Sequence, residues 1–327
     1  MSNNRGLLDL IISLLPGLNP VDRITLLKSF ENEEELYLQT KKSIEEIIKR
    51  KLKNNFDFSA IRDKADRIDT MCNMRSIKWV SWASADYPPL VREIYDPPAV
   101  LFYRGNLPNP EKSLLGMVGT RNPSPEAADQ AFKLACALGK AGISVISGLA
   151  LGIDAISHRG NLTGGAPGYA VLGSGIDGIY PSTNRQLAKR ILDSGGAIIS
   201  ELAPGIPPAK WTFPARNRII SAFSRSVIIV EAPKKSGSLI TASFALEQGR
   251  DLYVASSGVE GKTKFDRRGA QKLVEDGAEI IYSENDIFEK WNIDFYNNVI
   301  VTNESAGRKQ AISSIIEEMA DYLEIEV

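Results

Sequence analysis

Histidine and cysteine are nearly missing from this chain. His158 is the single histidine, and Cys72 and Cys136 are the two cysteines, in 327 residues. A structural zinc site needs three or four such ligands at close spacing, and a disulfide framework needs a dense, even set of cysteines. Both are excluded as organising features, and no cofactor or metal is expected. The two cysteines are expected to behave as small buried apolar side chains. Long apolar runs are missing too: none approaches the ~18 residues of a membrane span. The N-terminus also lacks the charged-then-apolar order of a signal peptide. The expectation is a cytoplasmic protein without membrane contact. Finally, there is no charge excess: the formal net charge is -1. A nucleic-acid partner would therefore require basic residues gathered in one place.

What is present is an ordinary globular composition, 43% hydrophobic and 24% charged, in a chain long enough for one large domain and a smaller one. Residues 1–70 read as a small all-helical domain. Leu7–Leu15 and Val21–Phe30 have helical spacing on either side of Pro16-Gly17-Leu18-Asn19-Pro20, and Ser43–Lys53 follows. The turn resembles a helix-hairpin-helix; a plain αα-hairpin packed on the main domain is the simpler alternative. Residues 71–112, with Tyr87-Pro88-Pro89 and Asp96-Pro97-Pro98, read as a connecting segment with short strands at Lys78–Trp82 and Val100–Tyr103.

From residue 113 to about 290 apolar strand segments alternate with helical ones. The strands are Leu114–Val118, Ser144–Ile146, Gly168–Leu172, Ala197–Ser200, Val227–Val230 and Leu252–Ala255. The helices are Pro125–Lys140, Ile153–Gly160, Thr183–Asp193, Ala215–Phe223 and Leu239–Gln248. This order predicts an α/β fold: an extended Rossmann-like parallel sheet, mixed at its edge, with helices on both faces. Ligands of such sheets bind outside the carboxyl ends of the strands. Residues 291–327 read as a tail with one amphipathic helix, Arg308–Leu323.

Four strand-to-helix loops therefore matter. In Gly119-Thr120-Arg121-Asn122-Pro123-Ser124, glycine admits a ligand to the backbone, Ser124 can cap the following helix, and Arg121 adds a forked cation at its positive end. Ser147-Gly148-Leu149-Ala150-Leu151-Gly152-Ile153-Asp154 is rich in small residues, which allow close backbone contact with a ligand or with the neighbouring loop. Asp154 and His158 are four apart and could pair on a helix. Gly173-Ser174-Gly175 meets a dinucleotide pattern only formally, with Gly178, and at the third strand instead of the first. The fourth segment, Lys210 to Lys235, holds six Lys/Arg against the single acid Glu231. It interleaves Trp211 and Phe213, and ends on Ser236-Gly237-Ser238. Cations and backbone amides for phosphates, with aromatic faces for bases, suit a single-stranded nucleic acid. No nucleophile elbow and no Gly-x-x-x-x-Gly-Lys-Ser/Thr loop is present, and Glu201 and Glu231 have no identifiable catalytic partner. The chain is not expected to be an enzyme.

In this order these blocks resemble the DNA-processing protein A (DprA/Smf) family. They are Gly119–Ser124; Ser147–Ala150 through Asp154 to His158; Gly173–Gly175 with Tyr180-Pro181; Phe213–Ile220; and Ser236–Ala242 with Glu247–Arg250. The resemblance implies a Rossmann-like domain that binds single-stranded DNA, forms a homodimer and loads the RecA recombinase during natural transformation. By position it implies phosphate contacts from Arg121 and Ser124 amid Gly119, Thr120, Ser147 and Gly148. It further implies a pocket lined by Lys210, Phe213, Arg216, Asn217 and Arg218, with amides from Ser236, Gly237 and Ser238. The chain departs from the family at Ala222-Phe223-Ser224, at Ser256-Ser257-Gly258 and at Arg268-Gly269-Ala270-Gln271. The family's C-terminal winged-helix-like domain is expected to be absent or reduced to one helix. The competing expectation is an enzyme of the lysine-decarboxylase-like or phosphoribohydrolase type. Its Pro-Gly-Gly-x-Gly-Thr block is missing from this sequence.

Overall fold

The computed structural model describes residues 5–53, 55–261 and 263–293. Five helices come first: α1 (Leu8–Leu14), α2 (Pro20–Ser29), α3 (Glu33–Tyr37), α4 (Lys41–Ile48) and α5 (Phe58–Met74). Asparagine or threonine starts three of them: Asn19 accepts from the Asp22 N–H, Asn32 from Glu35 and Thr40 from Ser43. The proline-glycine turn between α1 and α2 gives its Gly17 carbonyl to Arg50, which also pairs with Asp22. A carboxylate at that turn disfavours phosphate there.

Then come β1 (Lys78–Ser81), α6 (Pro89–Arg92), β2 (Val100–Gly105), β3 (Leu114–Val118), α7 (Pro125–Lys140), β4 (Ser144–Ser147), α8 (Ile153–Thr163) and β5 (Tyr169–Val171). They are followed by α9 (Arg185–Asp193), β6 (Ala197–Ser200), α10 (Thr212–Phe223), β7 (Ser224–Ile229), α11 (Gly237–Glu247), β8 (Asp251–Ala255), α12 (Arg268–Glu275) and β9 (Glu279–Ile281). The nine strands form one sheet in the order β1-β2-β6-β5-β4-β3-β7-β8-β9. From β6 to β9 all pairings are parallel; β2 joins β6 and β1 joins β2 antiparallel, so the sheet is mixed at one edge.

Strands buried on both faces read as apolar runs because both faces need apolar side chains. On one face Val100, Phe102, Ala170 and Ile198 share a core with α1–α5 through Leu8, Ile11, Leu26 and Leu36. On the other, Leu101, Val171, Ile199 and Ile229 pack with α10 through Ile219 and Phe223. Residues through Ile281 make one compact unit. Residues from Tyr282 make a second, in which α13 (Glu284–Lys290) starts with the Ser283 N–H donating to Asp286. The helix expected at Arg308–Leu323 lies outside the described residues. Cys72 is buried and Cys136 half-buried. Among the described residues no helix is long and apolar enough to cross a membrane.

His158 does not pair with Asp154. It is wholly buried on α8 with both ring nitrogens unpartnered. Burial pushes its pKa from 6.5 down to about 3. The folded chain keeps the imidazole neutral, while the unfolded chain takes up a proton below pH 6.5. Above pH 6.5 the residue adds no pH dependence; from there down to pH 3 it removes about 1.4 kcal/mol of stability per unit. His158→Leu should therefore lessen the loss between pH 7 and 4.5 by about 2 to 3 kcal/mol in urea unfolding. Parallel pH profiles for the two proteins would contradict a neutral buried imidazole.

Candidate nucleic-acid interface

The strand order turns back on itself at β3: β4, β5 and β6 lie on one side and β7 on the other. A crevice opens at the carboxyl ends where successive crossovers depart in opposite directions. There a cavity of about 590 Å³ is lined by Gly119, Thr120 and Arg121 after β3, by Lys210, Phe213, Arg216 and Asn217 entering α10, and by Lys235–Ser238 at the start of α11. Its lining holds four cations, Arg121, Lys210, Arg216 and Lys235, against one carboxylate, Asp154, leaving +3 in a chain whose total is -1.

The cations play two roles. Arg216 is a buried wall. Its guanidinium donates to the Gly148 carbonyl at 2.7 Å, to the Val171 carbonyl and to Asn217 Oδ1. Burial lowers its pKa to about 10, opposed by Asp154 and reinforced by Arg121. Asp154 accepts the Gly148 and Ala150 N–H groups at 3.1 and 3.3 Å. Burial raises its pKa, and the Arg216 charge and these N–H groups oppose the rise. The charges of Asp154 and Arg216 thus offset each other, and each group is hydrogen-bonded within the protein. Arg121, Lys210 and Lys235 are exposed, and among the described residues none has an ion-pair partner. The attraction for an anion rests on these three.

The apolar side of the cavity is aromatic. Tyr180 and Phe213 stand 5.6 Å apart at 43°, and the Arg121 guanidinium lies 5.9 Å over the Phe213 ring. That contact rests the arginine against the aromatic wall. Two glycines make the close packing possible. Gly152, at φ +73°, leaves no room for a Cβ beside the Thr120 and Arg121 carbonyls, so α8 abuts the first loop. At Gly148 a Cβ would strike the Arg216 guanidinium. The α11 start adds Ser236, which accepts the Ser238 N–H, and Asn217 donates to the Gly237 carbonyl at 3.0 Å.

Ten of the expected residues come together in the cavity: Gly119, Thr120, Arg121, Lys210, Phe213, Arg216, Asn217, Ser236, Gly237 and Ser238. Gly148 lines a smaller adjoining recess with Leu151 and Tyr180. Three others face elsewhere. Ser124 is fully buried, capping α7 through the Ala127 N–H. Ser147 is buried, and its hydroxyl donates to the Met117 carbonyl. Arg218 lies outside the cavity, with its guanidinium held by Asp96 at 2.9 Å and Glu201 at 2.8 Å. These acids keep its pKa above the usual value against the cost of burial. Trp211 is 69% exposed and is not part of the cavity wall.

The glycine loop after β5 is closed to a ligand. Phe213 packs on Gly173, the Ser200 hydroxyl donates to the Ser174 carbonyl, and the Gly175 N–H donates to Ile206. Asp154, Tyr180 and Lys235 also line the cavity, although none of them was among the expected contacts. Tyr180 had a signal in its Tyr-Pro block, and Lys235 in the basic run.

Sheet and cavity define a Rossmann-like α/β protein with a basic, aromatic-walled crevice at its topological switch point. The sequence model of the DNA recombination-mediator protein A family matches residues 78–292, and the chain belongs to that family. Protein Smf of Synechocystis is 43% identical over 206 residues; the match covers 62% of this chain and 51% of that protein, about half its length. DNA processing protein A of Streptococcus pneumoniae superposes with a TM-score of 0.67 at 29% identity, over 88% of this chain and 98% of that one. DNA processing protein A of Helicobacter pylori, solved for its single-stranded DNA binding mode, superposes with a TM-score of 0.58 at 28% identity, over 67% and 96%.

Proposed function

We propose that this chain binds single-stranded DNA in the cavity at the ends of β3 and β7, does no chemistry on the strand, and passes it to a RecA-type recombinase during DNA uptake. It acts as a homodimer in the cytoplasm. The observation that carries the binding reading is the gathering of three cations, Arg121, Lys210 and Lys235, with no ion-pair partner among the described residues, beside the Phe213–Tyr180 wall. Cations answer phosphates. Aromatic faces answer bases, and only a single strand offers base faces freely. Family membership supports the handover to a recombinase and the dimer. A non-catalytic role is supported by the two carboxylates at the strand ends, since Glu201 and Glu231 are each engaged by a buried arginine.

Affinity for an oligothymidylate should fall with salt at a slope of about -2 in log-log form, as ~0.7 counterions per phosphate leave from three contacts. Lys210→Ala should weaken binding evenly across base sequences and bring the slope to about -1.4. Fluorescence anisotropy at several salt concentrations reads both. Salt-independent binding would point to a small neutral ligand and overturn the proposal.

A further inference from the structure

The loop Gly119–Ser124 is tied at both ends to one residue, Glu231, at the end of β7. The Glu231 backbone carbonyl accepts the Thr120 N–H at 2.8 Å, and its carboxylate Oε2 accepts the Ser124 N–H at 2.7 Å. That carboxylate is 1% exposed. A buried negative charge beneath an anion-binding loop is costly to hold and works against the anion above it. Its compensation comes from the segment that follows β8. Arg267, 5% exposed, donates Nε to Glu231 Oε1 at 2.9 Å. Its other nitrogens reach the Glu260 carbonyl and, at 3.2 Å, the Ser124 hydroxyl that caps α7. One guanidinium thus joins the 260–267 segment, the β7 carboxylate and the α7 cap.

We propose that Arg267 is a positioning residue for the DNA-binding loop. It neutralises the Glu231 carboxylate, so that Glu231 can hold Thr120 through its backbone carbonyl and Ser124 through its side chain without repelling the phosphate that Arg121 attracts. The inference rests on the single-strand reading above. Arg267 touches no part of the cavity, and its role is carried through Glu231 and Ser124.

The test uses the full chain and a labelled oligothymidylate. Arg267→Met should weaken binding about tenfold by leaving the carboxylate uncompensated. Adding Glu231→Gln removes that charge while its amide oxygen still accepts the Ser124 N–H, and the double variant should return to within about threefold of wild type. If Arg267→Met fails to fold, Arg267→Lys carries the test and should bind within about threefold of wild type. Wild-type affinity in Arg267→Met overturns the inference. A double variant as weak as the single, or a tenfold loss in Arg267→Lys, overturns charge compensation as its basis. Failure of the wild type to bind the oligonucleotide would instead remove the single-strand reading itself.

Discussion

Arg121→Glu is expected to abolish single-strand binding, raising the Kd at least about 100-fold at moderate salt, while the protein stays folded. Arg121 is exposed, lies over the Phe213 ring and has no ion-pair partner among the described residues. Reversing its charge takes one cation from a lining whose net charge is +3 and puts a carboxylate against the negative face of an aromatic ring. Stability should not suffer. Arg121 lies in the field of the buried Arg216 and opposes its charge, so the reversal relieves a repulsion. Anisotropy with a labelled oligothymidylate and a thermal melt of the same sample check both halves. Unchanged affinity would show that the strand binds elsewhere.

Arg218→Met is expected to do the opposite. Arg218 is 4% exposed and serves two carboxylates, Asp96 before β2 and Glu201 after β6. Glu201 also acts on Arg23 of α2, so the cluster links α10, the end of β6 and the N-terminal helices. Removing the central guanidinium leaves two partly exposed acids without their main partner. Water relieves some of the cost that a wholly buried break would carry, so a loss of about 2 to 3 kcal/mol is expected. For a chain of this size that lowers Tm by roughly 3 to 5 °C. Affinity for single-stranded DNA, per folded molecule, should stay within about twofold of wild type. A variant that melts normally but no longer binds would restore Arg218 to the interface.

The contrast between Arg216 and Arg218 marks where local sequence stops determining the interface. The two are two positions apart on α10, roughly 200° around the helix axis, so one cavity cannot receive both. That much is local geometry. Which of them faces the cavity was settled by distant groups: Gly148, Val171 and Asp154 around Arg216, and Asp96 and Glu201 around Arg218. Ser124 and Ser147 follow the same rule. A hydroxyl near a helix start or strand end suits a ligand or a cap equally well from sequence, and burial made both structural. The departing segment around Arg268 could not be interpreted from its residues, because the partner of Arg267 is Glu231, thirty-six positions earlier.

The sequence by itself determined the alternation of buried strands and helices, their parallel order with a mixed edge, and the loops at which a ligand would enter. Parallel strands covered on both faces must be apolar along their length, and the turns between them must be small and polar. It also placed a concentrated positive charge, Lys210–Lys235, within a nearly neutral chain. Which cations stay free and which are neutralised by carboxylates elsewhere in the fold depended on tertiary contacts. Charge pairing depends on distances of a few ångströms between residues remote along the chain, and no local periodicity encodes them.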